Sequence, residues 1–215
     1  MKFGVLGTGM VGQTIAGKLV SLGHDVKLGA REATNEKAAT WAKSAGANAS
    51  AGTFADAAAF GDMIFNCTLG AGTLAALEAA GAANLRDKVL VDVSNPLDFS
   101  KGMPPSLFLS NTDSLGESIQ RAFPATKVVK TLNTMNAYLM VGPAQLAGAD
   151  HTVFVSGNDP AAKQRVSELL RSFGWKDIVD LGDITTARGT EMMPPIWLRA
   201  WGATGTPMFS FKLVR

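Results

Sequence analysis

The run GVLGTGMVGQ, Gly4 to Gln13, spaces Gly7, Gly9 and Gly12 as G-x-G-x-x-G directly behind an apolar stretch. A chain with 23 glycines produces such spacings by chance, so the context decides between a loop of small residues and a ligand site. KFGVLG (Lys2–Gly7) reads as a buried strand. Beyond the glycines Val11, Ile15 and Leu19 recur every four residues, with Ala16 and Val20 beside them, which makes one apolar helix face. Gly23 stops that helix. Strand, glycine turn and helix together are the setting of a dinucleotide site. Gly7 permits the tight turn, Gly9 lets a pyrophosphate approach the backbone, and Gly12 lets helix and strand pack closely. The helix N-terminus offers free N–H groups and its dipole to the phosphates.

Strands and helices keep alternating downstream. DVKLGAR (Asp25–Arg31), MIFNCTL (Met63–Leu69), KVLVDVSNP (Lys88–Pro96), KVVKTLN (Lys127–Asn133), HTVFVSG (His151–Gly157) and DIVDLG (Asp177–Gly182) read as strands. Helices are expected near residues 35–44, 74–83 and 114–122, and after the Asp159–Pro160 start signal, ending at Gly174. Residues 97–108 read as a loop. The expected fold is α/β, a Rossmann-type doubly wound, mostly parallel sheet. Residues 1–183 are expected to form its dinucleotide-binding domain, and 184–215 a small helical C-terminal segment. In that segment Met192, Met193, Ile196, Trp197 and Trp201 fit a helix kinked at Pro194–Pro195, followed by a flexible turn over Gly202–Pro207.

The end of the second strand selects the dinucleotide. A site for NAD places Asp or Glu there to bind the ribose hydroxyls. This chain has Gly29, Ala30 and Arg31. No carboxylate repels a 2′-phosphate, and a guanidinium is available to hold one. Thr34, Asn35 and Lys37 can add contacts. Glu32 lies one residue further out. The expected cofactor is NADP(H).

Composition narrows the remaining classes. Hydrophobic residues make up 47% of the 215-residue chain and the net charge is +2, enough for a core and too little for a polyanion partner. Lys and Arg are scattered, so nucleic-acid binding is not expected. One cysteine, Cys67, excludes an intrachain disulfide and fits a reducing cytoplasm. Neither a signal peptide nor a membrane-spanning run is visible. Two separated histidines, His24 and His151, and one cysteine make no metal site. Cys67 reads as an inert core thiol. Hydride transfer between two rings needs proximity more than a nucleophile or base, so no catalytic residue is assigned. A dehydrogenase of a small organic substrate would want a Lys, His or Tyr after the nicotinamide strand, and Lys130 is the sole nearby candidate. A non-catalytic NADPH-sensing module stays open as a third reading.

GVLGTGMVGQTIAGKLVSLGHDVKLGAR, VVKTLNTMNA and the end GTPMFSFKLV together resemble the coenzyme F420-dependent NADP oxidoreductase family over nearly the whole chain. That family also includes the reductase module of membrane ferric reductases, which uses a flavin in place of F420. The resemblance implies hydride exchange between NADP(H) and a deazaflavin (F420) or a flavin (FMN or FAD). It implies that Thr8, Gly9, Met10 and Val11 hold the pyrophosphate, and Ala30 and Arg31 the 2′-phosphate. Leu69 and Gly70 flank the ribose, Asn95 and Pro96 lie beside the nicotinamide, and Asn133 and Ala137 border nicotinamide and acceptor. Archaeal members often carry His where this chain has Asn133. The acceptor is expected in a slot between the Asn133–Ala137 turn and the turn carrying Gly205, Met208 and Phe209. The apolar end of the chain predicts a homodimer.

Overall fold

The computed structural model describes residues 1–215. Its main sheet has eight strands. They are β1 (Lys2–Leu6), β2 (Asp25–Ala30), β3 (Ala49–Thr53), β4 (Met63–Asn66) and β5 (Val89–Asp92), then β8 (Lys127–Thr131), β9 (Thr152–Gly157) and β10 (Asp177–Gly182). A two-stranded ribbon, β6 (Leu97–Asp98) with β7 (Ser106–Leu107), occupies the stretch read as a loop. The sheet order is β10-β9-β8-β5-β4-β1-β2-β3. All neighbours are parallel except β8 and β9. The fold is the expected Rossmann-like α/β arrangement.

Nine of the ten helices cover the sheet. α1 (Met10–Ser21), α2 (Glu36–Ala45), α7 (Ala137–Val141) and α8 (Pro160–Phe173) bury Ile15, Leu19, Trp41, Leu139, Val166, Leu170 and Phe173 against one face. The other face takes α3 (Phe54–Phe60), α4 (Thr73–Ala80), α5 (Ala82–Leu85), α6 (Leu115–Ala122) and α9 (Ala187–Glu191). Strand residues alternate between the layers: Met63 and Phe65 join the first, Ile64 the second. α10 (Pro194–Thr204) buries only Pro194.

Side-chain caps fix several helix starts. Asn35, Ser114, Asn136 and Asp159 each accept an N–H of the following first turn. The strand β3 (ASAGT) and the helix α3 (FADAAAF) carry no clear period in the sequence, because β3 is built from small residues and α3 has four alanines and one aspartate between its two terminal phenylalanines. α3 sits there for a steric reason. A Cβ on Gly4 would lie 2.2 Å from the Ala57 carbonyl oxygen, and one on Gly29 2.8 Å from the Ala57 Cβ. Small residues therefore let α3 lie almost on the strand backbones.

The C-terminal segment differs in detail from expectation. The helical stretch breaks at Met192–Met193 into α9 and α10, with Pro194 at the first position of α10, where proline is tolerated. α10 runs through Thr204, so helix replaces turn at residues 202–204, and Gly205 caps it at φ 71°. Ile184 and Ala187 are core residues of the α6 layer. The tail beyond them lies against β9: the Thr152 N–H donates to the Phe211 carbonyl at 2.9 Å.

Candidate functional site: a dinucleotide groove

Strand order reverses between β1 and β4, and a groove opens above the carboxyl ends of those strands. It has a volume of about 580 Å³ and is walled by Gly7, Thr8, Gly9, Arg31, Phe54, Cys67, Thr68, Leu69 and small residues of α4. The three glycines meet it differently. Gly7 has φ 113°, and a Cβ there would lie 2.6 Å from the Cys67 carbonyl oxygen. A Cβ on Gly12 would fall 1.9 Å from the Gly7 carbonyl oxygen. These two glycines hold turn, helix and β4 together. Gly9 faces open space, with nothing within 4 Å of its Cβ position.

The backbone N–H groups of Thr8, Gly9, Met10, Val11 and Gly12 donate to no protein acceptor; the first amide of the helix to do so is that of Gln13, to Gly9. α1 has no capping side chain and no acid in its first turn. Unpaired donors in series, at the positive end of a helix, suit a diphosphate. Arg31 is exposed at the end of β2 and takes part in no ion pair. Ala30, the residue before it, is buried, and Lys37 is exposed on the first turn of α2. The residues present fit a phosphorylated dinucleotide.

The groove continues into a recess of about 120 Å³ lined by Val11, Cys67, Thr68, Leu69, Gly70, Val93, Ser94, Asn95 and Leu97. Gly70 must be glycine, since a Cβ there would lie 1.9 Å from the Asn95 carbonyl oxygen. Pro96, next in the chain, is buried between the lining residues Asn95 and Leu97 and does not itself line the recess. Asn95 and Asn133 clasp each other. The Asn95 Nδ2 donates to the Asn133 carbonyl at 2.8 Å, and the Asn133 Nδ2 donates to Asn95 Oδ1 at 2.9 Å. The Asn133 Nδ2 also donates to the Thr190 carbonyl of α9 at 3.1 Å. Burial pushes the Cys67 thiol well above the ordinary cysteine range, and the Asp92 charge adds to it. Cys67 stays an unreactive thiol.

Beneath the recess lies a group of charges that its sequence positions do not reveal. Lys130 has a fully buried side chain and touches Asp92 Oδ2 at 2.7 Å, Glu191 Oε1 at 2.7 Å and the Ser94 carbonyl at 2.6 Å. Asp92 Oδ1 accepts from Asn66 Nδ2, the Ser94 N–H and the Ser94 hydroxyl. Glu191 accepts the first amides of α6, Leu115 N–H at 2.7 Å and Gly116 N–H at 2.9 Å. Burial opposes the charge on Lys130, yet the two carboxylates outweigh it, and the ammonium holds its proton above the ordinary lysine value. An ammonium so engaged is not a proton donor for a substrate. The visible signals were Asp92 and Lys130, each a charge inside an apolar strand run; Glu191, in GTEMMPP, carried none.

The residues assigned to the acceptor do not share one cavity. The Asn136 Nδ2 donates to the Pro207 carbonyl at 2.5 Å and closes the gap between the two turns where a ring slot was expected. Ala137 is buried at the start of α7, which packs on α1. Gly205 faces an apolar hollow of about 660 Å³ with Met103, Pro104, Leu198 and Trp201. Met208 packs on the core and Phe209 stacks on Trp197, ring centroids 5.2 Å apart. The slot was argued from loop positions alone, and the helical capping amide of Asn136 reaches across it.

The family described as NADP oxidoreductase, coenzyme F420-dependent, matches residues 2–96. A solved structure from Arthrobacter sp. FB24, provisionally described as an F420-dependent NADP-reductase, is 57% identical. It covers 100% of both chains, with a TM-score of 0.96. Metalloreductase STEAP3 of Rattus norvegicus is 30% identical over 203 residues, 93% of this chain; the chain spans 38% of that protein's length. A reductive aminase from Aspergillus terreus, solved with NADPH, is 18% identical over 95% of this chain and 62% of its own, with a TM-score of 0.67, a likeness of fold. No helix of the structure is long and apolar enough to cross a membrane.

Proposed function

This chain belongs to the coenzyme F420-dependent NADP oxidoreductase family, and we propose that it passes hydride between NADP(H) and a flat redox ring. The ring is a deazaflavin such as F420 or a flavin such as FMN or FAD. The observation that carries the reading is the unpaired amide series Thr8–Gly12 beside an unpaired Arg31. In this reading those amides hold the diphosphate, and Arg31, with Lys37, holds the 2′-phosphate. Leu69 and Gly70 flank the ribose, and Asn95, Pro96 and Asn133 border the nicotinamide. When bound, NADPH supplies the hydride, and its ring passes from neutral to cationic. The chain's part is placement and exclusion of water: Val11, Leu69, Val93 and Leu97 make the recess largely apolar. Gly70 also belongs to an adjoining hollow of about 270 Å³ with Leu74, Phe108 and Leu115, through which an acceptor ring can approach. Sequestration of Lys130 speaks against the small-substrate dehydrogenase reading, which needed it free.

The test is anaerobic NADPH oxidation followed by absorbance, with F420, FMN and FAD offered separately. Turnover with at least one of them is expected. Tight NADPH binding with no oxidation by any of the three would replace the reading with a sensing module.

The same reading places a second copy of the chain against α10. Ile196 and Trp201 are exposed there beside Met103 at 68% exposure, an apolar surface that a lone protein rarely leaves open. Light scattering at micromolar concentration is expected to give twice the chain mass, and a monomer mass refutes this part.

A further inference from the structure

Two carboxylates and one ammonium make up the buried network of Asp92, Lys130 and Glu191, so it holds one negative charge in excess. We infer that this excess charge biases the nicotinamide half of the site, favouring the cationic, oxidised ring over the neutral, reduced one. The inference rests on the reading of the recess as the nicotinamide site.

Each carboxylate has donors on both of its oxygens. Asp92 accepts from Asn66, Ser94 and Lys130, and Glu191 from Leu115, Gly116 and Lys130. The positive end of α6 offsets part of the excess at Glu191. On α6 and α9 the remaining charged residues are already paired, Glu117 with Arg188 and Arg121 with Asp113, each at 2.6 Å.

The network touches the recess wall directly. Ser94 lines the recess, its N–H and hydroxyl donate to Asp92, and its carbonyl accepts from Lys130. Thr68, also on the wall, donates its hydroxyl to Asn66 at 2.6 Å, and Asn66 donates to Asp92 at 2.7 Å. Glu191 follows Thr190, whose carbonyl holds Asn133. All three charged side chains have at most 1% exposure, so water screens the field little. The Asp92 charge also adds to the upward push that burial exerts on the thiol of Cys67, another wall residue.

NADP⁺ and NADPH share every group outside the nicotinamide, so the ratio of their dissociation constants isolates the ring's charge. The unaltered protein is expected to bind NADP⁺ at least as tightly as NADPH. Glu191→Gln removes the excess charge and is expected to weaken NADP⁺ relative to NADPH by about three- to tenfold. Asp92→Asn removes the same charge from the other side of Lys130 and takes its place if Glu191→Gln does not fold. A role in packing alone weakens both forms alike, and equal weakening in the folded variant overturns the inference. NADPH binding tenfold or more tighter than NADP⁺ in the unaltered protein overturns it without any variant. Binding of neither form defeats the dinucleotide reading itself, and this inference with it.

Discussion

Arg31→Ala is expected to weaken NADPH binding by about 10- to 100-fold and to leave NADH binding within about twofold. The size follows from a charge-assisted contact to a phosphate, about 1.5–3 kcal/mol. Arg31 is suited to this contact because nothing in the chain occupies it: it is exposed and has no carboxylate partner. Ala30, the residue before it, is buried, so the backbone that presents the guanidinium is fixed. The two cofactors differ only in the 2′-phosphate, which is why the effect should fall on one of them. Arg31→Lys keeps the charge but loses the planar fork, and should sit between the two. Titration calorimetry with both dinucleotides checks this. A loss of similar size for NADH would mean that Arg31 acts on the groove generally and reads no phosphate.

The largest stability effect is expected at Lys130. Lys130→Met leaves Asp92 and Glu191 facing each other as buried, uncompensated carboxylates. Removing one partner from a buried ion group costs about 3–5 kcal/mol. In a chain of this size that corresponds to a fall in melting temperature of roughly 10 °C. Lys212→Met is the control. Its partner Asp150 is 69% exposed in an ion pair of 2.6 Å, so the loss should stay below about 1 kcal/mol. The same contrast separates burial from contact distance, since both pairs are short. Thermal unfolding by circular dichroism reads the outcome. If the two variants melt within a degree or two of each other, the buried group is not holding β5, β8 and α9 together.

Local order carried most of what could be read in advance. The G-x-G-x-x-G turn needed no distant partner to be recognised, because strand, turn and helix are contiguous and each glycine's task is set by its immediate neighbours. Asp159 and Pro160 marked the start of α8 for the same reason, and so did Gly174 its end. Arg31 was legible because the groove rule counts residues from the turn. By contrast β3 and α3 were missed, since β3 is made of small residues and α3 is mostly alanine, and what seats them is distant in the chain: pairing with β2 for β3, and the absence of Cβ atoms at Gly4 and Gly29 for α3.

The sequence by itself determined the parallel α/β layering, the glycine turn and the lack of a carboxylate at the end of β2. All of these are properties of short segments whose periodicity and backbone freedom act within one or two turns of chain. Only the tertiary structure decided that β9 runs antiparallel, that Asn136 bridges to Pro207, and that residues 92, 130 and 191 meet as one buried charge group. Each of these is a contact between segments brought together by folding. Its energy depends on burial and distance, and a residue's burial is set by the strands and helices packed around it, not by its neighbours in sequence.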